Sequence, residues 1–514
     1  VTAMMTPATT PLLNGVRTML FAPTITDAEL TDAEKAVMWK LSAQLLDPMY
    51  QAEMALSELY YLGLNVVNSL GISIPPELEP LKAVLGWCEA GIDARTERLN
   101  VAGFRLPGQT EVDSSLQEFW QTNNLDAESH LAHEAALIVG RSYAVVGPRE
   151  GGGVPLITIE SARNMIGSWD PRTRALSAAY QTYRDADPAS ETFNQQLATL
   201  YTRQAIVQLR QDPKLGWLVQ DRNDHQQGIV PAVQYAPRAT LSNRLGRSAI
   251  TNAWRNTQDR ACRALQRMEV SGEFYATMKT FLLGVTEEQF KKADGSKATA
   301  WETFIGRISA LKADEFGNLP QVETVPGQSP DGFVTSLDLE TRIMSGHTGL
   351  APHYLGIFSD GNPASADAIR MSDFRLKKVS DRLSVSFGDG HESLMRIALK
   401  VAGESREGIE QLETDWDYTG IPTPYADTES MARQVEVGMV PPDADDVLAY
   451  TGWTTVQRQR LAIQRKKTHG LAKLDNALDG LNQPGGGGQP ADGQQPQALA
   501  ALEARRATDG AITG

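Results

Sequence analysis

The chain has 514 residues, 41% hydrophobic and 22% charged, so most of it is expected to fold, into about three structural units at roughly 150 residues each. A formal net charge of −15 argues against a protein that wraps nucleic acid by neutralising phosphates. No stretch approaches the roughly 18 to 20 apolar residues of a membrane span, the N-terminus lacks a signal-peptide pattern, and Cys88 and Cys262, far apart and outside any C-x-x-C context, support neither a disulfide framework nor a zinc site.

Taken in chain order, Thr26 or Thr31 caps a first helix in which Val37, Leu41 and Leu45 recur on one face. Asp47-Pro48 interrupts it, a second helix runs to Tyr61, and Gly63 stops that one. Another helix is expected from about Pro80 to Arg98, leading into an extended piece from Leu99 to Phe104. Leu131, Ala135 and Ile138 keep helical spacing between Leu125 and Val139, and Gly140 ends that helix before the β-prone Ser142 to Val146. Strand-like runs follow at Leu156 to Glu160, Leu176 to Tyr183, Leu200 to Leu209 and Ile229 to Tyr235, with turn signals such as Asp170-Pro171 between them.

From Arg247 the pattern switches to a long helix, expected to end at Gly272. Phe274 to Val285 reads as extended, and a small mixed segment reaches Gln328. Ser329-Pro330 marks the start of a second long helix, Ser as cap and Pro in the first turn, running to about Ser345. After a Gly- and Asn-containing loop, Gly356 to Pro363, a helix from Ala364 to about Phe387 is expected. A short helix at about Thr454 to Lys467 and a Gly/Pro/Gln/Ala tail from Gln483 complete the chain.

Charge is unevenly placed along this order. Residues 401–450 hold twelve Asp/Glu against two Lys/Arg, a net of −10, whereas residues 241–270 hold six Arg against two acids, a net of +4. Such runs form solvated faces or complementary patches on neighbouring copies.

Catalytic and metal signatures are sparse. His130 and His133 lie three apart on one helix, but the order is H-x-x-H-E, not H-E-x-x-H, and surface or capping roles are expected for both. His347 and His353, around Pro352, read the same way. Gly151-Gly152-Gly153 lacks the Lys-Ser/Thr of a phosphate loop, and no G-x-S-x-G elbow occurs. Neither catalytic residue, cofactor nor metal is nominated. An enzyme assembled around His130 and His133 stays open as the contrasting class.

Several fragments resemble, in order, the portal proteins of long-tailed phages that infect Gram-positive bacteria. They are Tyr60-Tyr61-Leu62-Gly63; Glu97-Arg98-Leu99-Asn100-Val101-Ala102-Gly103-Phe104-Arg105; Asn124-Leu125-Asp126; Gly140-Arg141-Ser142-Tyr143; Gly246-Arg247-Ser248; Glu273-Phe274-Tyr275; Thr348-Gly349-Leu350; Tyr354-Leu355-Gly356; and Asn362-Pro363-Ala364-Ser365-Ala366-Asp367-Ala368-Ile369. The resemblance is weaker in the first sixty residues and the C-terminal third.

The resemblance implies an α+β portal fold with a mixed α/β wing, long stem helices, a small inserted clip and a helical crown. Mapped here, 1–240 is the N-terminal part of the wing, 241–271 and 329–347 are stem helices, and 272–328 is the clip. Residues 348–450 carry the tunnel loop, a long wing helix and the rest of the wing; 451–482 is the crown and 483–514 a flexible tail. It further implies a dodecameric ring at one capsid vertex, made in the host cytoplasm and kept in the virion. Double-stranded DNA would pass through it without sequence specificity, and the large terminase ATPase, a head-tail adaptor, and the major capsid and scaffold proteins would be partners, with no membrane. Phe358, Ser359, Asp360 and Asn362 become tunnel-loop contacts to DNA. Arg255, Arg260, Arg263 and Arg267 become stem residues facing the lumen or a neighbouring subunit. Another ring-forming head or tail-adaptor protein is the alternative.

Overall fold

In the computed structural model the described residues are 30–65, 83–109, 112–149, 152–275, 279–283, 321–325, 329–356, 366–417 and 424–441, with short runs between 447 and 468. Helices and antiparallel sheets are mixed along the chain, an α+β arrangement.

Helix α1 (Asp32–Leu45) begins at Thr31, whose hydroxyl accepts from the Glu34 N–H while the Glu34 carboxylate accepts from the Thr31 N–H, a capping box. Its Met38, Leu41 and Leu45 are buried against a five-stranded antiparallel meander in the order β4 (Met165–Asp170), β5 (Ala175–Arg184), β6 (Gln196–Tyr201), β7 (Ile206–Asp212), β8 (Gly216–Asn223). Arg222, near the end of β8, reaches back to Glu34 at 3.1 Å, tying the edge strand to the start of α1.

The larger core gathers α2 (Pro48–Tyr61), α3 (Trp87–Thr96), α4 (Ser114–Thr122) and α5 (Leu125–Val139) around the sheet β3 (Leu156–Ser161), β2 (Ser142–Gly147), β9 (Ala232–Tyr235). Strand β1 (Val101–Arg105) pairs with β12 (Glu413–Trp416), contributed from more than 300 residues later, and the Arg105–Asp415 ion pair at 2.6 Å crosses that ladder.

Two long helices follow, α6 (Asn252–Tyr275) and α7 (Asp331–Thr348), packed on each other. Between them in sequence, β10 (Lys279–Leu283) pairs antiparallel with β11 (Gln321–Val325). Helix α8 (Ala366–Val401) and α9 (Pro424–Glu436) complete this unit. Residues 443–449 and 453–514 form a second unit, in which the described residues from 457 to 468 are helical.

Several expectations change in the structure. Helix α3 spans ten residues, not nineteen, and Leu131 lies on the exposed side of α5, which buries Leu125, Ser129, Ala132, His133 and Ala136 instead. The single run expected from Leu200 to Leu209 is a hairpin, β6 turning to β7, and β4 and β8 had no counterpart in the reading. Helix α6 starts at Asn252 and passes through Gly272, so Phe274 and Tyr275 are helical; one interior glycine costs only about 1 kcal/mol. Pro330 is itself the N-cap of α7.

The largest departure is α8, which continues fourteen residues beyond Phe387 across Gly388 and Gly390. Those glycines make room rather than stop the helix. A Cβ on Gly390 would lie 2.6 Å from the Tyr235 ring, and one on Gly388 would lie 3.4 Å from the Trp416 indole nitrogen.

Candidate functional site: a hub on α3 that gathers the long helices

Helix α3 is short, yet its side chains reach four other elements. The Cys88 N–H donates to Gln258 Oε1 of α6 at 2.9 Å, and the Trp254 ring packs where a Cβ on Gly91 would come within 2.8 Å. A larger residue than glycine at position 91 would therefore push the helices apart. Arg95 stacks its guanidinium 4.6 Å from the centroid of Trp254 and donates to the Thr348 carbonyl at 2.6 Å, capping the end of α7. Burial, reinforced by the like charges of Arg238 and Arg375, lowers the Arg95 guanidinium to about 9, so it remains a cation near neutrality. Trp87 donates its indole N–H to the Leu355 carbonyl at 3.2 Å. Tyr61 of α2 donates to Asp93 at 3.0 Å, and its neighbour Tyr60 donates to Asp259 of α6 at 2.8 Å.

Just past α3, Arg98 donates to the Tyr354 hydroxyl at 3.0 Å and to Asp373 Oδ2 at 3.2 Å, and Tyr354 donates to the same carboxylate oxygen at 3.1 Å. Arg98 and Asp373 expose only 12% and 5% of their side chains, so the pair is shielded from the screening that weakens surface ion pairs. Tyr354 precedes residues 357–365 and Asp373 follows them, so both flanks of that segment are fastened to one arginine. Arg375 adds a bond to the Gly346 carbonyl at 3.0 Å.

Two of the resembling fragments meet directly. Gly140, with φ +102°, ends α5, and Gly246, with φ +79°, lies against its carbonyl where no Cβ fits. Ser248 then donates to the Ile138 carbonyl, the Ala249 N–H to the Leu137 carbonyl at 2.8 Å, and Arg141 to the Leu245 carbonyl at 3.1 Å. These contacts set the direction in which α6 leaves the core.

The nominated stem arginines separate. Arg255 is buried, donates to Ser57 of α2 at 2.7 Å and lies 5.7 Å from the Tyr60 ring. Arg260 grips Glu340 of α7 through Nε and Nη2 at 2.9 and 2.8 Å. Both find these partners in their own chain. Arg263 is half-buried and Arg267 exposed. Phe358, Ser359, Asp360 and Asn362 lie outside the described residues.

His133 is not a surface or capping residue. It is fully buried, with its Nε2 2.8 Å from Nε2 of His391 on α8, whose Nδ1 lies 2.9 Å from the Tyr235 hydroxyl. Phe387, Trp120 and Trp416 surround the two rings. Burial lowers His391 to about 3 and His133 well below the usual imidazole value, the latter helped by its histidine neighbours. Only one proton fits between the two facing nitrogens, so the pair is a neutral structural link. No group of three metal-ligating side chains occurs among the described residues, nor is any described helix long and apolar enough to cross a membrane.

The hub was partly visible beforehand. Arg98 and Tyr354 stand in the resembling fragments, whereas Trp87, Arg95, Trp254 and Asp373 carried no sequence signal.

Residues 47–443 match the family model described as phage portal protein, SPP1 Gp6-like. The portal protein of Mycobacterium phage L5 is 28% identical over 463 residues, covering 88% of this chain and 93% of that protein. The portal protein of Mycobacterium phage D29 is 29% identical, covering 82% and 87%. Among solved structures, a chain of the virion of a native gene transfer agent particle aligns with TM-score 0.42 and 16% identity over 71% of this chain and 89% of its own. A chain of the neck of that native particle, computed with C12 symmetry, aligns with TM-score 0.41 and 14% identity over 77% and 99%.

Proposed function

Because the chain belongs to the SPP1 Gp6-like phage portal protein family, we propose that it is one subunit of a dodecameric ring at a capsid vertex through which double-stranded DNA is packaged and ejected. The role is mechanical. The large terminase supplies ATP hydrolysis and docks, with the head-tail adaptor, on the exposed end of the ring; major capsid and scaffold proteins surround it in the virion.

The observation that carries this reading beyond family membership is the hub on α3, which fastens α6, the end of α7 and both flanks of residues 357–365 to one core. Helices of a conduit need such an anchorage, because a passing duplex loads them repeatedly. On this reading 241–271 and 329–347 are the stem, 272–328 with its β10 and β11 ladder is the clip, and 1–240 with much of 348–450 is the wing. Residues 451–482 are the crown. Phe358, Ser359, Asp360 and Asn362 touch the duplex. The acidic balance of the chain suits a channel that must not hold phosphates tightly, since each neutralised phosphate adds affinity that slows sliding.

Electron microscopy of the purified chain tests the proposal. A ring with a central hole wide enough for duplex DNA is expected, and a compact small oligomer overturns it. Deleting Ser359 to Gly361 is expected to leave rings intact and abolish genome packaging; normal packaging removes the loop assignment.

A further inference from the structure

One face of α8 has no cover among the described residues. Met371, Phe374 and Val385 are 73%, 55% and 67% exposed, and Lys378 and Arg382 are exposed between them. The spacing 371, 374, 378, 382, 385 advances by three or four residues, so these side chains form a single stripe along about four turns of helix. Lys378 lies 5.7 Å from the Phe374 ring, placing its cation on the stripe itself. Isolated exposed apolar residues need no explanation, but three large ones aligned on one stripe with two cations among them mark a contact surface.

A second surface left open among the described residues has the opposite sign. At the end of α9, Val437 and Met439 are 75% and 76% exposed and follow the exposed Glu436; Glu429, also exposed and two turns earlier, pairs with Arg433 at 2.8 Å. This lies within the stretch 401–450 that carries a net charge of −10.

We propose that the stripe on α8 receives the acidic, apolar end of α9 from a second copy of this chain. Met371, Phe374 and Val385 cover Val437 and Met439, while Lys378 and Arg382 meet Glu429 and Glu436. Two different patches on one subunit make a heterologous, head-to-tail contact, the kind that closes into a ring when each copy is rotated by a fixed angle. The inference rests on the ring reading above and names one of its interfaces. DNA is the poorer occupant, because phosphates would pair the cations and leave three large apolar side chains wet that a protein surface would bury.

The experiment reverses charge on each side. In the full chain, Lys378→Glu with Arg382→Glu is expected to raise the concentration at which half the chains are in rings by at least about tenfold, as is Glu429→Lys with Glu436→Lys. All four substitutions together are expected to restore assembly. Analytical ultracentrifugation and negative-stain microscopy read the ring fraction, and circular dichroism checks that each variant is folded. Rings in both double variants at the wild-type concentration overturn the pairing while leaving the ring reading untouched, as does failure of the fourfold variant to recover. A wild-type chain that never forms rings removes the ring reading and the pairing with it. Intact rings in Lys378→Glu with Arg382→Glu that no longer package DNA assign the stripe to the duplex instead.

Discussion

Helix α8 is held at two places by buried polar groups of opposite character. Toward its start, Asp373 meets Arg98 and Tyr354 in an ionic cluster; about 27 Å further along, eighteen residues at 1.5 Å each, His391 meets His133 and Tyr235 with no net charge. The ionic end borders residues 357–365 and fixes their flanks to the α3 hub. The neutral end lies among Phe387, Trp120 and Trp416 and joins α8 to α5 and β9. One end is held by opposite charges and the other by imidazoles whose protonation burial opposes, so the two attachments should fail under different conditions.

Breaking the ionic end should have the largest effect. Asp373→Leu removes the carboxylate that faces the largely buried Arg98 cation, a change that costs about 3 to 5 kcal/mol where such a pair is well shielded. The double variant Arg98→Met with Asp373→Leu should recover part of that loss, because the buried cation then leaves together with its carboxylate. Urea unfolding of the three variants measures both terms, and a double variant no better than Asp373→Leu alone would show that lost packing outweighs charge.

Acid should act on the other end. For His391, held near 3 when folded and near 6.5 when unfolded, the unfolded chain binds the additional proton between those values, so stability is complete above about pH 6.5 and falls as the pH drops toward 3. The slope is about 1.4 kcal/mol per pH unit for one imidazole, hence about 2 kcal/mol between pH 6.5 and 5. His133, lowered in the same direction, adds to it. Replacing both, His133→Leu with His391→Phe, should flatten the urea midpoint over this interval; an unchanged slope in the double histidine variant would place the acid sensitivity elsewhere.

The two attachments also differ in how far the sequence revealed them. Arg98 and Tyr354 stand in fragments that resemble a family, but their partner Asp373 comes 275 residues after Arg98 and sits among other alternating charges of an ordinary-looking helix. His133 drew attention by its spacing from His130, yet helical spacing says only that two side chains share a side, not whether that side is wet. Helices with caps and one apolar face, such as α1 and α2, were readable for the opposite reason, since Thr31, Asp47 and Gly63 act through backbone groups a few residues away. Strand β8 escaped notice because it is an edge whose later residues, Gln220 to Asn223, are largely polar and solvent-facing. Helix α8 was cut short because a glycine that makes room for a tertiary neighbour looks, in one dimension, like a glycine that ends a helix.

Gly390 permits a finer test of the neutral end. Gly390→Ala gains about 1 kcal/mol of helix propensity but places a methyl 2.6 Å from the Tyr235 ring, an overpacking that costs about 1 to 3 kcal/mol. A net loss of about 1 kcal/mol is expected by thermal unfolding. The ring can relieve the clash only by shifting, which lengthens the bond from its hydroxyl to His391 Nδ1. Gly390→Ala combined with Tyr235→Leu should therefore lose less than the sum of the two single changes, and strict additivity would mean that the methyl is accommodated without moving Tyr235.

The smallest effect should come from a pair that resembles the Arg98 cluster in chemistry but not in surroundings. Arg260 holds Glu340 through two nitrogens, yet 43% of the arginine side chain is exposed, so water and salt screen the attraction and the side chain can be re-solvated when its partner is removed. Arg260→Gln should cost about 0.5 to 1 kcal/mol at low ionic strength, and less at 0.5 M salt, in urea unfolding. If the loss instead approached that of Asp373→Leu and did not respond to salt, the grip of α6 on α7 would be as shielded as the α3 hub, and burial would no longer explain why one ion pair anchors α8 while the other only aligns two helices.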